Sequence, residues 1–590
     1  TLGSYELSYT VNKVTRPHAL VLRADLPSPF APRSDEVKPA EEKKKEDAKK
    51  EEDKKKEEKG DKPAAPVRID LEGLRQRVVP FPVSAGNYAG LSAASGKVFW
   101  LSTPTSALTD EDTPKASLRI FDMEKRKEGE VMAEVQGYDL APDRSRILVR
   151  DAKDYVIVEP KEAATRDKTL DLSGLRMELD PRAEWAQMFN DTWRIERDFF
   201  YLPDMGQIDW PAMRRRYQAL LPYVSHRTDL TYLTGELAGE LGSGHSYVGG
   251  GDQPHPDKTP VGVLGAELLL DAKAGAWRIA HIYPAETWTE KRRSPLTEPG
   301  SRVDEGEYLL AIDGQDLKPT DEPYRLLLGR AERIVTLLVN KTPSRTGARE
   351  VSVRPLADED VLRYHDWVER NRQKVDKATS GRVGYVHIPD MGGNGLQEFI
   401  RQYYPQLRKE ALVVDVRANG GGFVSEMILE RLRRVVIGMG STRGARPGTY
   451  PTSAFSGPMV ALINAYSASD GDIFPYFFRE YGLGPLIGTR TWGGVVGIRG
   501  NPNLVDGGYV FVPEFGTFSV KGEWIIENQG VTPDIEVDNL PADELAGKDA
   551  QLERAVQEVL KRLAEKKPAI PTADPPSRDL RNPKMITPPR

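Results

Sequence analysis

The sequence predicts a multidomain chain that joins α+β segments to an α/β segment. At 590 residues the chain is longer than one ordinary hydrophobic core supports, so several domains are expected. Short β-like runs recur in residues 1–165 and 256–345, whereas residues 180–255 have the apolar spacing of helices. Strands and helices alternate across residues 381–540, which is typical of an α/β layer architecture.

We interpret residues 1–165 as the C-terminal blades of a β-propeller. Short strands such as 97–101 and 117–122 alternate with polar turns, as they do in propeller blades. A blade takes roughly 40–45 residues and a ring needs several blades, so either earlier blades are missing here or these strands pack otherwise. Residues 35–62 are almost entirely Lys, Glu and Asp, which predicts a disordered insert.

Three domains and a tail are expected after these strands. They are a helical domain over residues 180–255, a PDZ-like domain over 256–345, an α/β domain over 346–565 and a Pro-rich tail over 566–590. The PDZ-like interpretation depends on two runs, 263–268 and 305–314, which resemble a carboxylate-binding loop and a later strand that ends in a turn. The loop residues are Leu264, Gly265 and Ala266. In such domains a peptide adds as a strand to an exposed sheet edge. A generic small β domain is the alternative.

A serine in the motif Asn-Ala-Tyr-Ser-Ala-Ser-Asp-Gly-Asp, at residues 464–472, is the candidate nucleophile. The motif follows an apolar run, 458–463, that predicts a buried strand, and it precedes a predicted helix. A serine at a strand-to-helix turn lies where backbone N–H groups converge and can stabilise an oxyanion. If Ser469 is the nucleophile, the chain must also contain a base, oxyanion donors and an acid that orients the base.

The candidate base is His245. A serine hydroxyl is a weak nucleophile and needs an adjacent base. Among the seven histidines, His245 lies in a glycine-flanked loop just after a predicted helix, whereas His387 lies within a predicted strand and is expected to pack. On spacing alone, a structural role for His245 remains the alternative.

Oxyanion donors and an orienting acid are also present. The backbone N–H of Asp470 directly follows the candidate nucleophile. The run Asp-Val-Arg-Ala-Asn-Gly-Gly-Gly at 415–422 is a predicted strand ending in glycines that allow close backbone approach. Phosphate binding is disfavoured because no Lys-Ser/Thr pair follows these glycines. Glu527 is a candidate to orient the base, with a solvated carboxylate as the alternative.

Together these motifs resemble the tricorn proteases, which are serine peptidases related to the C-terminal processing peptidases. The resemblance rests on Gly-Ser-Gly-His-Ser-Tyr at 242–247, the motifs at 415–422 and 464–472, and Glu-Asn-Gln-Gly-Val-Thr-Pro-Asp at 527–534. It covers nearly the whole chain, and it implies that most of the family's N-terminal propeller region is missing from this sequence. The resemblance implies a crotonase-like α/β catalytic domain after the PDZ domain, and a homohexameric toroid.

The resemblance also implies a role for each site residue. Ser469 attacks the scissile carbonyl, and His245 acts first as base and then as acid to the leaving amine. Gly421 and Asp470 provide the oxyanion N–H groups. The donor among the three glycines is assigned to within one position of Gly421, in the range 420–422. Glu527 belongs to the support of the base.

Two features depart from the archaeal members of this family. Those members place a serine directly before the histidine, where this chain has Gly244, with Ser243 one position earlier. A relay through Ser243, a water molecule or Glu527 itself are therefore the candidates to orient His245. The archaeal enzymes also use an acidic residue to attract a basic P1 side chain, but residues 431–469 contain no Asp or Glu.

The leading function is a serine endopeptidase that hydrolyses short unfolded peptides through an acyl-enzyme. A non-catalytic peptide-binding scaffold is the alternative, and a crotonase-like acyl-CoA enzyme is disfavoured because it has no use for a Ser–His pair. We expect no cofactor and no metal. The net charge of −6 argues against a nucleic-acid partner, and no apolar run is long enough to span a bilayer. We expect a cytoplasmic protein, with an extracytoplasmic location as the alternative because the chain starts at Thr1.

Overall fold

The structure is a computed structural model of the chain. It describes residues 12–32, 67–106, 114–151, 154–166, 169–283, 293–445 and 447–565. The predicted disordered insert at 35–62 and the Pro-rich tail at 566–590 lie outside the described residues. The chain divides into two compact units, residues 1–178 and residues 179–590.

The first unit is built from antiparallel strands. Its strands are β1 (His18–Leu20), β2 (Val78–Pro80), β3 (Asn87–Ala94), β4 (Lys97–Thr103), β5 (Ala116–Asp122), β6 (Lys127–Val135), β7 (Gly137–Leu140), β8 (Ile147–Arg150) and β9 (Tyr155–Val158). Strands β3 to β6 form a four-stranded sheet in sequence order, and β7 to β9 form a three-stranded sheet. Phe99, Leu118 and Ile147 are fully buried in one core, because alternate side chains of each strand point to the same face. The assignment of these sheets to a propeller stays a prediction.

The second unit begins with three helices, α1 (Pro181–Phe199), α2 (Trp210–Gln218) and α3 (Arg227–Gly239). The Asp180 side chain accepts the N–H groups of Arg182 and Ala183, so it caps α1 at a point where proline is well tolerated. The helices share a core with residues much later in the chain, including Val510 and Val512. This shared core ties the helical segment to the C-terminal part of the unit.

A six-stranded antiparallel sheet follows. Its strands are β11 (Ala266–Asp271), β12 (Ala276–Ile282), β13 (Tyr308–Ile312), β14 (Gln315–Asp316), β15 (Val335–Asn340) and β16 (Arg349–Val353). The order is β11-β12-β13-β15-β16, with β14 paired to β13, so β11 lies at one edge. Leu264, Ile279, Leu309 and Leu337 are buried together in its core.

The α/β part of the second unit is a five-stranded parallel sheet between two helical layers. Its strands, in spatial order, are β17 (Val383–His387), β18 (Ala411–Asp415), β21 (Met459–Ile463), β22 (Leu486–Gly488) and β25 (Ile535–Glu536). Its helices are α4 (Asp360–Ala378), α5 (Gly393–Tyr403), α6 (Ser425–Leu432), α7 (Asp470–Glu480), α8 (Pro541–Leu545) and α9 (Ala550–Glu565). Helices α5, α6 and α7 pack on one face and α4 and α9 on the other. Both faces are buried, so the strands are almost entirely apolar.

Two small antiparallel groups complete the second unit. Strand β10 (Tyr247–Gly249) pairs with β24 (Tyr509–Phe515), and β24 pairs with β23 (Gly497–Gly500). Strand β19 (Gly438–Gly440) pairs with β20 (Gly448–Tyr450). The β10–β24 pairing fixes the chain just after His245 to the C-terminal part of the unit. None of the helices in the described part of the chain combines the length and apolarity that crossing a membrane requires.

Candidate active site

Ser469 lies in the turn between β21 and α7. Its backbone has a φ of 59° and a ψ of −124°, a conformation that costs a non-glycine residue about 1–3 kcal/mol and that recurs at functional sites. The Ser469 N–H donates to the Gly494 carbonyl at 3.1 Å, and the Ala468 N–H donates to the Asn419 carbonyl at 2.9 Å. These two bonds hold the strained turn in place.

His245 is oriented by a backbone carbonyl. The residue is 6% exposed, and its Nδ1 lies 2.8 Å from the carbonyl oxygen of Val496. Because a carbonyl only accepts hydrogen bonds, Nδ1 carries the proton, and in the neutral ring Nε2 is left as the basic nitrogen. The ring also packs against Trp492, with the ring centroids 5.6 Å apart.

The candidate nucleophile and the candidate base are attached to the same short segment. Ser469 is held by the carbonyl of Gly494, and His245 by the carbonyl of Val496, two residues further on. No hydrogen bond joins Ser469 to His245 among the described residues. Such bonds are often long in the free enzyme and tighten when substrate binds. The segment 494–496 therefore holds both the Ser469 backbone and the His245 ring.

Glu527 connects the loop of the base to this segment. Its Oε1 accepts the Ser243 hydroxyl at 3.0 Å and the Gly244 N–H at 2.9 Å. Its Oε2 accepts the N–H groups of Val495 at 2.7 Å and Val496 at 3.0 Å. Within the described ranges, no hydrogen bond joins the His245 ring to Ser243 or to Glu527. Glu527 is linked to the imidazole through the Val496 peptide, whose N–H it accepts and whose carbonyl contacts Nδ1.

Gly244 is required by the close approach of two backbones. A Cβ atom at position 244 would lie 2.9 Å from the Cα of Gly494 and 3.4 Å from Cη2 of Trp492. The first distance is below ordinary van der Waals contact, and a backbone atom cannot swing aside as a side chain can. The serine of the archaeal members has no room at this position without a shift of residues 492–496.

We expect Gly244→Ser to lower kcat/KM by at least about tenfold. The added atoms push on Gly494, whose carbonyl holds Ser469, and a displacement of about 1 Å at such a site can cost about a hundredfold in rate. Gly244→Ala is the matched variant, because it adds the same Cβ without a hydroxyl and should lose activity similarly. Wild-type rates in both variants on a peptide substrate would show that the contact at Gly494 is not restrictive.

The predicted oxyanion donors differ in their hydrogen bonding. Asp470 is the first residue of α7, and its N–H has no partner among the described residues. Gly421, with a φ of +89°, lies against the turn: a Cβ there would be 2.5 Å from the Cβ of Ser469. The Gly421 N–H donates to Oδ1 of Asn419 at 2.9 Å. The Asp470 N–H is therefore free to bind an oxyanion, whereas that of Gly421 is engaged by a neighbouring side chain.

Two buried carboxylates that the sequence analysis did not assign hold the loops around Ser469. The side chain of Asp470 accepts the backbone N–H of Ser425 at 2.9 Å and also its hydroxyl, which secures the start of α6. Asp472 accepts the N–H of Gly493 at 2.9 Å, and burial raises the pKa of this carboxyl to about 6. Both contacts fix backbone that lies next to the candidate nucleophile.

A buried glutamate on α1 also contacts the loop of the base. Glu196 has no exposed surface, and its Oε1 accepts the hydroxyl of Ser246 at 3.2 Å. Its Oε2 has no hydrogen-bond partner among the described residues. Burial raises the pKa of Glu196 to about 8, so this side chain is a neutral acid at pH 7.

We expect Glu196→Gln to change the pH dependence of stability. The folded pKa of about 8 exceeds the ordinary value of 4.5, so between these values the unfolded chain loses a proton that the folded chain keeps. The wild-type free energy of unfolding should therefore fall as pH rises through this window, by an amount on the order of a few kcal/mol. Glutamine has no proton to lose in this range, so the thermal unfolding midpoint of the variant should rise relative to that of the wild type between pH 5 and pH 8.5. A constant difference between the two midpoints across this range would contradict the prediction.

The remaining predicted site residues form a separate group. Leu264 and Gly265 directly precede β11 and Ala266 is its first residue, and no hydrogen bond within the described ranges joins them to Ser469 or His245. No cluster of three or more His, Asp or Glu side chains that could hold a metal ion occurs in the part of the chain that the structure describes.

Three sequence families match the second unit in chain order. Residues 181–239 match the tricorn protease C1 domain, residues 262–358 the tricorn protease PDZ domain, and residues 382–537 Peptidase family S41. The chain therefore belongs to a family of serine-type peptidases, which are hydrolases.

Within that family the chain belongs with the tricorn proteases. It is 38% identical over 583 residues to tricorn protease homolog 1 of Streptomyces coelicolor, covering 95% of this chain and 52% of that protein. It is 33% identical over 500 residues to the tricorn protease of Thermoplasma acidophilum, covering 84% and 46%. A crystal structure of the tricorn protease superposes with a TM-score of 0.78 at 31% identity, over 85% of this chain and 49% of that one. The chain spans about half the length of the curated relatives it matches.

Proposed function

We propose that this chain is a serine endopeptidase that hydrolyses short unfolded peptides, with Ser469 as nucleophile and His245 as base. One observation carries the proposal: the Ser469 backbone and the His245 ring are both hydrogen-bonded to residues 494–496, and the imidazole is held with Nδ1 protonated. That tautomer leaves Nε2 able to take the proton of a serine hydroxyl.

The reaction follows from these groups in two steps. The Ser469 Oγ adds to the peptide carbonyl carbon while Nε2 of His245 takes the hydroxyl proton, and the Asp470 N–H donates to the resulting oxyanion. The C–N bond then breaks, and the protonated imidazole gives its proton to the leaving amine. A water molecule, deprotonated by the same nitrogen, hydrolyses the acyl-enzyme, releases the carboxylic acid and restores the serine.

In this mechanism Glu527 is a positioning residue. Its carboxylate holds the loop of Ser243 and Gly244 with one oxygen and the peptides of Val495 and Val496 with the other. The Val496 carbonyl then stabilises the imidazolium that forms when His245 accepts the proton. Gly421 lies next to the serine and becomes a second oxyanion donor if its N–H leaves Asn419 during the reaction.

The proposal is tested by peptide turnover together with a fluorophosphonate probe, which labels activated serines. We expect the wild-type chain to hydrolyse an unstructured peptide library and to be inhibited in proportion to labelling. A non-catalytic scaffold would bind peptides without turnover and would not react with the probe. That outcome, obtained with the assembled full-length protein, would overturn the proposal.

We expect little preference for Lys or Arg at the P1 position of the substrate. Residues 431–469 contain no Asp or Glu, so this segment supplies no carboxylate to an S1 pocket. The loops around the site instead expose aromatic side chains: Phe423 is 72% exposed, Tyr466 75% and Trp492 42%. Cleavage profiling on a peptide library measures the preference, and a trypsin-like profile would contradict this prediction.

We extend the proposal to the fold and the assembly of the protein. The parallel sheet with helices on both faces supports a crotonase-like catalytic domain, and the short antiparallel sheets of the first unit support C-terminal propeller blades. By analogy with the family we infer a cytoplasmic homohexamer. Sedimentation velocity of the purified protein measures the oligomeric state.

A further inference from the structure

The predicted carboxylate-binding loop of the PDZ-like segment already holds a carboxylate of this chain. The Gly265 N–H donates to Oε2 of Glu359 at 2.9 Å. Gly265 has a φ of +63°, and a Cβ there would lie 2.8 Å from the Ser294 hydroxyl, so the loop conformation depends on glycine. The Ser294 hydroxyl donates to the Leu264 carbonyl at 3.2 Å, which fixes the loop further.

Glu359 is held there by a cation as well. Its side chain is almost fully buried, with the residue 7% exposed. Its Oε1 accepts Nε of Arg363 at 2.9 Å, and the guanidinium lies over the ring of Tyr283, 4.9 Å from the centroid. A loop N–H and a guanidinium are the groups that would recognise the terminal carboxylate of a peptide.

The chain next to Glu359 also runs beside the loop. Val263 and Leu356 exchange both backbone hydrogen bonds, each at 2.9 Å. This pairing brings the segment just before Glu359 alongside the loop. Strand β11 pairs only with β12 within the described residues, so its outer edge has no strand partner there. Strand β11 therefore has an unpaired edge, and the loop that precedes it is occupied by the Glu359 carboxylate.

We propose that Glu359 is an internal ligand that closes this loop to the carboxyl termini of other peptides. Removing its side chain would leave the Gly265 N–H and the Arg363 guanidinium unpaired, and together they would form an anion site at the end of a free strand edge. The proposal does not depend on the peptidase chemistry, since it involves none of the residues assigned to it.

The same contact fastens two parts of the second unit together. Glu359 directly precedes α4, which packs against β17 of the parallel sheet. About two turns after Glu359, the Asp366 carboxylate lies 2.8 Å from Nε2 of His281 on β12 and forms a hydrogen bond with it. The internal carboxylate is thus the first of two anchors that hold the PDZ-like sheet on α4.

The test is binding of a fluorescent peptide with an apolar C-terminal residue, as the free acid and as the amide, to the full chain. The measurement is made in the Ser469→Ala background, in which hydrolysis is expected to be slow. We expect the chain with Glu359 intact to show no preference between the two peptides. Glu359→Ala should bind the free acid at least about tenfold more tightly than the amide, as a charge-assisted site requires.

Two control variants complete the experiment. Asp358→Ala removes the same charge from the exposed neighbouring residue. This variant should bind the free acid and the amide with equal affinity. Adding Arg363→Ala to Glu359→Ala should abolish the gained preference. If Glu359→Ala does not fold, Glu359→Ser is used in its place. A free-acid preference with Glu359 intact, or its absence in a folded Glu359 variant, would overturn the proposal.

Discussion

Ser469→Ala is expected to lower kcat/KM for peptide hydrolysis by about 10³- to 10⁶-fold, the range seen when a catalytic serine is removed. The alanine cannot form the acyl-enzyme, so water must attack the peptide directly. Some acceleration should survive, because the free Asp470 N–H still stabilises an oxyanion. The comparison is made on one peptide with wild type and variant at equal concentration.

Ser467→Ala is the matched control for this experiment. Ser467 is fully buried two residues earlier, and its hydroxyl donates to the Val416 carbonyl at 2.8 Å. Its loss should cost about 1 kcal/mol of stability and should leave a reactive nucleophile in place. Activity retained by Ser469→Ala and lost by Ser467→Ala would contradict the assignment of the nucleophile.

Glu527→Gln is expected to lower kcat/KM by about 10²- to 10³-fold. The carboxylate accepts four hydrogen bonds, two on each oxygen, and an amide can accept on only one side. In either orientation the NH₂ group faces N–H or O–H donors, so the loop of the base or the segment 495–496 is released. Because Val496 orients His245, a misplacement on the order of 1 Å is enough for a loss of this size.

Ser243→Ala measures how much of the effect of Glu527 depends on its hydrogen bond with the Ser243 hydroxyl. It removes one of the four hydrogen bonds and leaves the Gly244, Val495 and Val496 contacts intact, so the loss in kcat/KM should be less than about tenfold. The kinetics are measured across pH, because a misoriented general base changes the pH–rate profile as well as the rate. A Glu527→Gln enzyme with wild-type rates and profile would refute the positioning role.

The sequence motifs predicted the candidate side chains but not the backbone that brings them together. Ser469 and His245 are recognisable because their residue types suit the chemistry and their loops carry glycines. The orienting group of His245 is the backbone carbonyl of Val496. Every residue has such a carbonyl, so no sequence motif can indicate which one will orient the histidine. The only local signal is the pair Gly493-Gly494, which allows the close approach of Gly244.

Long-range contacts account for the other features that sequence reasoning missed. Glu196 meets Ser246 across 50 positions, and Glu359 meets Gly265 across 94. Neither pair has a periodic or local pattern, because each is created by the packing of separate segments. The parallel strands, by contrast, can be predicted from the sequence. Both faces of their sheet are buried, so each strand is a continuous apolar run.

The most direct test of the central claim is to identify the residue that a fluorophosphonate modifies in the active wild-type protein. After labelling and proteolysis, mass spectrometry should find the phosphonyl group on Ser469, with the modified fraction equal to the fraction of peptidase activity lost. A label on another residue that accounts for the lost activity, or full peptide turnover with Ser469 unmodified by excess probe, would contradict the account.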